Sequence, residues 1–150
     1  MASSEGLGID RKKAEEIIRI LSDILANEFV LYVKARNYHW NVVGMNFIEL
    51  HKLFEKIYEE LNEFVDDIAE RIRTLGGHPP STLKEFLELA KLKEHPGTYP
   101  DAKTMIKNLL EDHEFIIKEV DKADIGTADL LTEILRSHEK TAWMLRSLLG

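Results

Sequence analysis

The sequence predicts an all-α protein, an antiparallel four-helix bundle with a short extra helix in the connection between helices 2 and 3. Its 8 glycines and 4 prolines fall in a few tight clusters, and the long segments between them repeat apolar residues at helical spacing. Each long helix has one apolar stripe to bury, which favours a bundle. With 150 residues and 44% hydrophobic content, we expect a single domain over residues 1–150, with a flexible N-terminal extension at 1–9.

The first helix is predicted to begin after Asp10, a residue that favours N-caps, and to run to about Val43, with Gly44 as the C′ residue. Its apolar face consists of Ile17, Leu21, Ile24, Leu31, Ala35 and Tyr38. His39 lies at the edge of that face. Taken alone, such a histidine is typical of a hydrogen-bonded packing residue.

The second helix begins after Asn46, which forms a capping-box pattern with Glu49, and ends at Gly76. Its core face comprises Leu50, Phe54, Ile57, Leu61, Phe64 and Ile68. The three remaining helices also follow capping residues: Ser81 opens a short helix from Thr82 to about Leu92, Asp101 a long helix to about Lys122, and Thr127 the last helix to near Leu149.

Composition excludes several classes of protein. The chain has no cysteine, which rules out disulfide scaffolds, iron–sulfur clusters and thiolate zinc sites. Its longest apolar run, Phe29–Val33, is far short of the ~20 residues of a membrane span. A secretion signal begins with a basic segment, and the first ten residues contain no basic residue. We therefore expect a soluble cytoplasmic protein that does not enter a membrane.

A second face of the second helix lies away from the core and combines one histidine with several polar and acidic residues: His51, Glu55, Asn62, Asp66 and Glu70. These residue types are typical ligands of iron, manganese or zinc. The alternative is a solvated acidic face with an incidental histidine.

Geometry restricts a metal site on this face. His51 and Asp66 are fifteen residues apart, or ~22 Å along a straight helix, so one chain cannot bring both to one metal ion. A two-fold axis between Tyr58 and Glu59 places His51 of one copy opposite Asp66 of the other. Such a site exists twice in a dimer and is absent from a monomer.

Two stretches of the sequence closely resemble the Dps family, also called miniferritins. The first runs from His39 to His51 (HWNVVGMNFIELH) and the second from Asp66 to Gly77 (DDIAERIRTLGG). Helix lengths, the short middle helix and the tail from His138 to Trp143 agree with the family as well. The resemblance implies a ferritin-like bundle that assembles into a hollow homododecamer.

The resemblance also implies a function. Dps proteins oxidise ferrous iron, preferentially with hydrogen peroxide rather than oxygen, and store the ferric product inside the shell. The implied iron ligands are His39, His51 and Glu55 from one subunit and Asp66 and Glu70 from its partner. Many family members have Asp at the position of Glu55. Trp40 and Trp143 match tryptophans near the family's site, where they intercept radicals or pack, and zinc or manganese is expected as a substitute for iron.

Acidic pores admit iron in this family, and the corresponding residues here are Asp121, Asp124 and Asp129. A ring of carboxylates would attract cations towards the cavity. Asp129 has a simpler interpretation as well, because a carboxylate in a first helical turn compensates the helix dipole.

Three alternative functions differ from this one in the residues that they require. A conventional ferritin site needs Glu-x-x-His pairs, and none of the 6 histidines follows a glutamate by three residues. A nucleoid-coating protein needs cationic tails, whereas the net charge here is −7 and DNA binding is expected to be weak or absent. A purely structural bundle would hold zinc or no metal. The other histidines, namely His78, His95, His113 and His138, are predicted to lie at the surface or in loops.

Overall fold

The computed structural model describes residues 8–123 and 128–150. Its helices are α1 (Arg11–Asn41), α2 (Phe47–Thr74), α3 (Leu83–Leu89), α4 (Ala102–Asp121) and α5 (Ala128–Leu149). Helix α1 packs along α2 and α4 packs along α5, and these two pairs are joined by α1–α4 and α2–α5 contacts. The short helix α3 packs on α1. This arrangement confirms the predicted four-helix bundle with one additional short helix.

Helices α1 and α2 begin directly after the predicted capping residues. Asp10 and Asn46 occupy the N-cap positions of α1 and α2, although neither side chain makes a capping hydrogen bond. Helix α1 ends at Asn41, two residues before the predicted Val43. Of the predicted N-terminal extension, residues 1–7 lie outside the described part of the chain, and Ile9 packs against the core.

Glycine ends α2 where the sequence predicts. Gly76 has a positive φ of 92°, which a glycine adopts without the steric cost of a Cβ. The Gly77 amide donates to the Ile72 carbonyl at 3.0 Å, and the Gly76 amide donates to the Arg73 carbonyl at 3.0 Å. These two bonds form a Schellman motif, which satisfies carbonyls at the helix end.

Helix α3 is shorter than predicted and begins at a different cap. Thr82 rather than Ser81 is its N-cap, and the Thr82 hydroxyl accepts a hydrogen bond from the Glu85 amide. The helix ends at Leu89, three residues before the predicted Leu92. A contact from α1 explains the early end, because the Lys91 and Leu92 amides donate to the Asn27 side-chain oxygen.

The last two helices are bounded as expected where the structure describes them. The Asp101 carboxylate caps α4 by accepting from the Thr104 amide at 2.9 Å, and α4 ends one residue before Lys122. Thr127, the predicted cap of α5, lies outside the described residues. Helix α5 ends at Leu149 as predicted.

The core lies between the four long helices. Every residue of the predicted apolar faces of the first two helices is buried, so helical periodicity identified both faces correctly. The second polar face of α2 remains outside this core, with His51 and Glu55 half-buried and Asn62, Asp66 and Glu70 exposed. None of the described helices is long and apolar enough to cross a membrane.

Candidate metal centre

Two histidines meet where α1 ends and α2 begins. The Nδ1 atom of His39 lies 2.7 Å from the His51 carbonyl oxygen, and the Nδ1 atom of His51 lies 2.7 Å from the His39 carbonyl oxygen. The two imidazole rings stack nearly parallel, with centroids 3.7 Å apart and planes inclined by 14°. His39 is buried and His51 is half-buried.

This reciprocal contact has a local cause. The His39 carbonyl belongs to the last turn of α1, where carbonyls have no helical partner, and the His51 ring supplies the missing donor. The His51 carbonyl uses its second lone pair to accept from His39. A carbonyl accepts only from a protonated nitrogen, so each Nδ1 carries a hydrogen, and in the neutral imidazole the lone pair is then on Nε2. Anchored imidazoles with a free Nε2 are the usual form of histidine metal ligands.

Aromatic rings enclose the histidine pair. Phe47 stacks on His51 at 5.1 Å, and Tyr58 packs edge-on against His39 at 5.3 Å. Glu55 lies one helical turn after His51 and is half-buried. Desolvation raises the pKa of the Tyr58 phenol, and the negative charge of Glu55 raises it further.

Three carboxylates cluster near the other end of α2. Asp66, Asp67 and Glu70 each have an oxygen within 4.8 Å of the other two, and all three side chains are exposed. Two of these residues were predicted as ligands; Asp67 was not. In the described part of the chain no lysine, arginine or histidine forms an ion pair with any of them. The three carboxylates are close enough together to hold a metal ion.

The histidine pair and the carboxylate cluster do not meet within one chain. Both lie on the same unbroken helix, Phe47–Thr74, and fifteen residues of that helix separate His51 from Asp66 by ~22 Å. The histidine nitrogens and the carboxylate oxygens of one protomer therefore lie near opposite ends of α2 and cannot reach the same metal ion.

The two tryptophans and two of the three residues predicted to line a pore lie at the surface of the protomer. Trp40 and Trp143 are 64% and 60% exposed, so burial within the protomer does not explain them. Asp121 is exposed at the end of α4 and Asp129 is exposed in the first turn of α5. Asp124 lies outside the described residues.

The prediction for two other histidines was wrong, since His113 and His138 are 1% and 2% exposed. His138 Nε2 lies 2.7 Å from Glu28 Oε1, and the Glu28 side chain is itself fully buried. The His113 ring packs against His138 at 5.0 Å, while its Nδ1–H donates to the Leu109 carbonyl at 2.6 Å. The sequence held a signal for this cluster, because both histidines follow a leucine at helical spacing (Leu109 to His113, Leu131 to His138) on the apolar stripes of their helices.

Burial determines the protonation of His113. Removal from water, and to a smaller extent the nearby His138, lower the pKa of this imidazole from 6.5 to about 3. His113 is thus a neutral core residue that hydrogen-bonds to its own helix. His95, by contrast, lies in a loop as predicted and contacts the Tyr38 hydroxyl at 2.6 Å, and His78 is exposed.

Comparison with known proteins identifies the fold and the family. Residues 18–150 match the ferritin-like domain family. An uncharacterized low temperature-induced protein of Nostoc is 46% identical over 94% of this chain and 84% of its own length. The DNA protection during starvation protein 2 of Bacillus anthracis is 38% identical over 91% of this chain and 98% of its own.

A solved structure of similar shape is the Dps protein of Vibrio cholerae, described as a member of a broad superfamily of ferritin-like diiron-carboxylate proteins. It superposes with a TM-score of 0.90 at 32% identity and covers 100% of this chain and 98% of that one. A relationship of this extent, spanning all five helices, shows that the chain belongs to the Dps family of ferritin-like proteins.

Proposed function

We propose that this chain is the subunit of a hollow homododecamer that oxidises ferrous iron with hydrogen peroxide and stores the ferric product. The observation that carries the proposal is the division of one ligand set between the two ends of α2. His39 and His51 offer two free Nε2 atoms at one end, and Asp66 and Glu70 offer uncompensated carboxylates at the other.

A two-fold contact along α2 completes this set. An axis between Tyr58 and Glu59 brings the histidine end of one copy to the carboxylate end of the other, because 51 and 66 are symmetric about that point. Exposed apolar side chains at the α1–α2 turn agree with burial against another copy: Val43 is 73% exposed and Met45 100%. Each dimer then holds two sites, each formed by His39, His51 and Glu55 of one copy with Asp66 and Glu70 of the partner.

The ligand types suit the chemistry. Neutral imidazoles and carboxylates bind Fe²⁺, and the carboxylates offset the additional positive charge of Fe³⁺. Two ferrous ions together supply the two electrons that reduce one peroxide, with two protons, to two waters, so no hydroxyl radical is released. Protection against oxidative damage follows from that stoichiometry. Glu55 reaches further than an aspartate and is proposed as a ligand on the same face, and Mn²⁺ or Zn²⁺ would compete for the same ligand types.

Charge guides the remaining proposals. Exposed Asp121 and Asp129, together with Asp124, are proposed to line an acidic pore that attracts cations to the cavity. A net charge of −7 per subunit opposes binding to phosphate backbones, so coating of DNA is the weaker candidate.

Trp40 and Trp143 are proposed to lie beside the site in the assembly, where oxidisable rings intercept stray radicals. A cytoplasmic location remains a prediction.

The test combines assembly with activity. The purified protein is loaded anaerobically with Fe²⁺, treated with stoichiometric peroxide and separated by size, and iron is measured across the fractions. We expect a ferric core that co-elutes with a dodecamer-sized shell, and Asp66→Ala should lose rapid iron oxidation while Glu139→Ala, an exposed acid on α5, retains it. An Asp66→Ala protein as fast as the parent would refute the site.

A further inference from the structure

A cleft beside Tyr58 is bounded by charged residues that form no ion pair within the protomer. It has a volume of about 380 Å³ and is lined by two tyrosines, one arginine, one asparagine and two glutamates: Tyr32, Arg36, Tyr58, Glu59, Asn62 and Glu63. In the part of the chain that the structure describes, none of the three charged groups in this lining has an oppositely charged partner. Each copy therefore presents one cation and two anions around a single cleft.

Aromatic rings fix the position of the Arg36 guanidinium. It lies 4.3 Å from the Tyr58 ring centroid and 5.5 Å from the ring centroids of Tyr32 and Trp40. Its Nη1 atom donates to the Tyr32 hydroxyl at 3.2 Å. A guanidinium has five N–H donors, and stacking on ring faces leaves its in-plane donors able to bind a carboxylate. Arg36 is thus a cation whose position is already set before any carboxylate reaches it.

The two-fold axis proposed above passes beside this cleft. An axis between Tyr58 and Glu59 places Tyr58 of one copy opposite the partner's Glu59. Because the Arg36 guanidinium stacks on Tyr58, the same axis brings it beside that glutamate. Residues next to a two-fold axis also approach their own copies, so the two Glu59 carboxylates repel each other unless a cation lies between them. Arg36 is the cationic residue in the lining of the cleft.

We propose that Arg36 of each copy forms an ion pair with Glu59 of the partner, and that these two pairs hold the dimer together at its centre. This inference rests on the proposed function, because the axis is the one that brings His51 to the partner's Asp66. The occupant of the cleft is then a second copy of this chain, whose charges are complementary. Closure of the cleft removes the paired groups from water, which strengthens their attraction. Formation of the iron site thus depends on two residues that do not bind iron.

Reversal of either charge is expected to weaken association of the two copies. Arg36→Glu sets glutamate against glutamate at both positions beside the axis, and Glu59→Arg sets arginine against arginine. Each close charge pair at an interface contributes roughly a tenfold change or more in the association constant. Loss of both pairs should therefore lower the association constant at least about 100-fold. The double variant Arg36→Glu/Glu59→Arg restores opposite charges at both positions and should associate like the parent.

A mixture of the two single variants separates pairing between copies from pairing within one chain. In a mixed dimer, the substituted position 36 of one copy meets the substituted position 59 of the other, and the unchanged Arg36 and Glu59 also meet. Both pairs are then complementary, although neither variant is complementary with itself. Pairing within one chain would not be restored by mixing.

The experiment measures assembly by native mass spectrometry and by sedimentation over a range of protein concentrations, with helix content checked by circular dichroism. It compares the parent, the two single variants, their co-refolded equal mixture, the double variant and a control, Glu139→Arg. Glu139 is exposed on α5 and does not line the cleft. We expect the single variants alone to dissociate, at protein concentrations about 100-fold higher than the parent. Peroxide-dependent iron oxidation, measured on the same samples, should be lost and recovered together with assembly.

The outcomes distinguish this inference from the proposed function. Single variants that assemble like the parent, or that stay dissociated when mixed, overturn the ion pair and leave the cleft to solvent or to another ligand. The proposed function still stands in that case if the parent assembles and oxidises iron. If mixing restores assembly but no sample oxidises iron faster than free Fe²⁺, the ion pair is supported and the proposed function is wrong. A parent that remains monomeric refutes both.

Discussion

A mixture of two inactive variants should recover activity if each site is shared between subunits. His51→Ala removes an imidazole that stacks on His39 at 3.7 Å, and Asp66→Ala removes a carboxylate of the exposed acidic cluster. Each pure variant lacks one ligand in every site. In a randomly mixed assembly, a site is intact when the subunit that supplies its histidines carries Asp66→Ala and the partner that supplies its carboxylates carries His51→Ala.

The expected recovery follows from the symmetry. Each condition holds for half of the subunits and the two are independent, so about one quarter of the sites are intact. The two variants are co-refolded at equal amounts with different affinity tags, and mixed assemblies are isolated through both tags. Initial rates of peroxide-dependent iron oxidation, measured by ferric absorbance per subunit, should reach about one quarter of the parent rate, because intact sites act independently.

Matched variants control for damage to the fold. His78→Ala and Glu139→Ala remove exposed groups outside the site, and their mixture should retain the full rate. If doubly tagged assemblies of the two site variants show no recovery, the histidines and carboxylates act within one subunit and the two-fold geometry is wrong. Native mass spectrometry of the same sample shows whether subunits have mixed.

Four further results are expected. Because the pKa of His113 is lowered to about 3 in the folded protein, the unfolded chain binds an extra proton below pH 6.5, and the free energy of unfolding decreases as the pH is lowered. Urea unfolding at pH 5 should show a loss of about 2 kcal/mol per subunit relative to neutral pH. This loss should disappear in His113→Leu. Leu61→Ala empties a site that is 1% exposed and should cost about 3 kcal/mol in the same assay. Gly76→Ala forces a Cβ into a positive φ of 92° and should cost about 1–2 kcal/mol, seen as a lower melting temperature. Duplex DNA should show no gel shift at about 150 mM salt.

Each of these has a clear contrary outcome. Equal pH dependence in His113→Leu would assign the acid sensitivity to groups other than His113. A Leu61→Ala protein as stable as the parent would mean that α2 is not packed as described. A Gly76→Ala protein with an unchanged melting temperature would mean that the end of α2 does not need a positive φ at this position. A plain gel shift with DNA would show a cationic surface that the net charge of −7 conceals.

Much of the fold could be predicted because local signals agree with tertiary packing. The apolar face from Leu50 to Ile68 predicted which side of α2 is buried, and Gly76 marked its end. The failures have tertiary causes: α3 stops early because Asn27, more than sixty residues away in the chain, takes the amides of Lys91 and Leu92. No local pattern contains that contact.

The residues proposed for the site could be named from the sequence, but their fine geometry could not. Spacing along α2 predicts ligands at both ends of the helix and a partner copy that brings them together, and this stays a prediction. The mutual hydrogen bonds of His39 and His51 depend on the angle of the α1–α2 turn, which residue periodicity does not determine. The buried group of Glu28, His113 and His138 was missed although both histidines continue the apolar stripes of their helices, because periodicity indicates which side of a helix is buried and not which polar partner lies opposite.

The anchoring of His39 and His51 makes substitutions at the two positions separable. Each ring is held by the backbone of the other residue, so replacing one side chain with alanine leaves the carbonyl acceptor of the remaining ring in place and removes only its stacking partner. For a lineage of such proteins, one histidine can therefore be replaced while the other keeps its orientation, and the two need not be lost together.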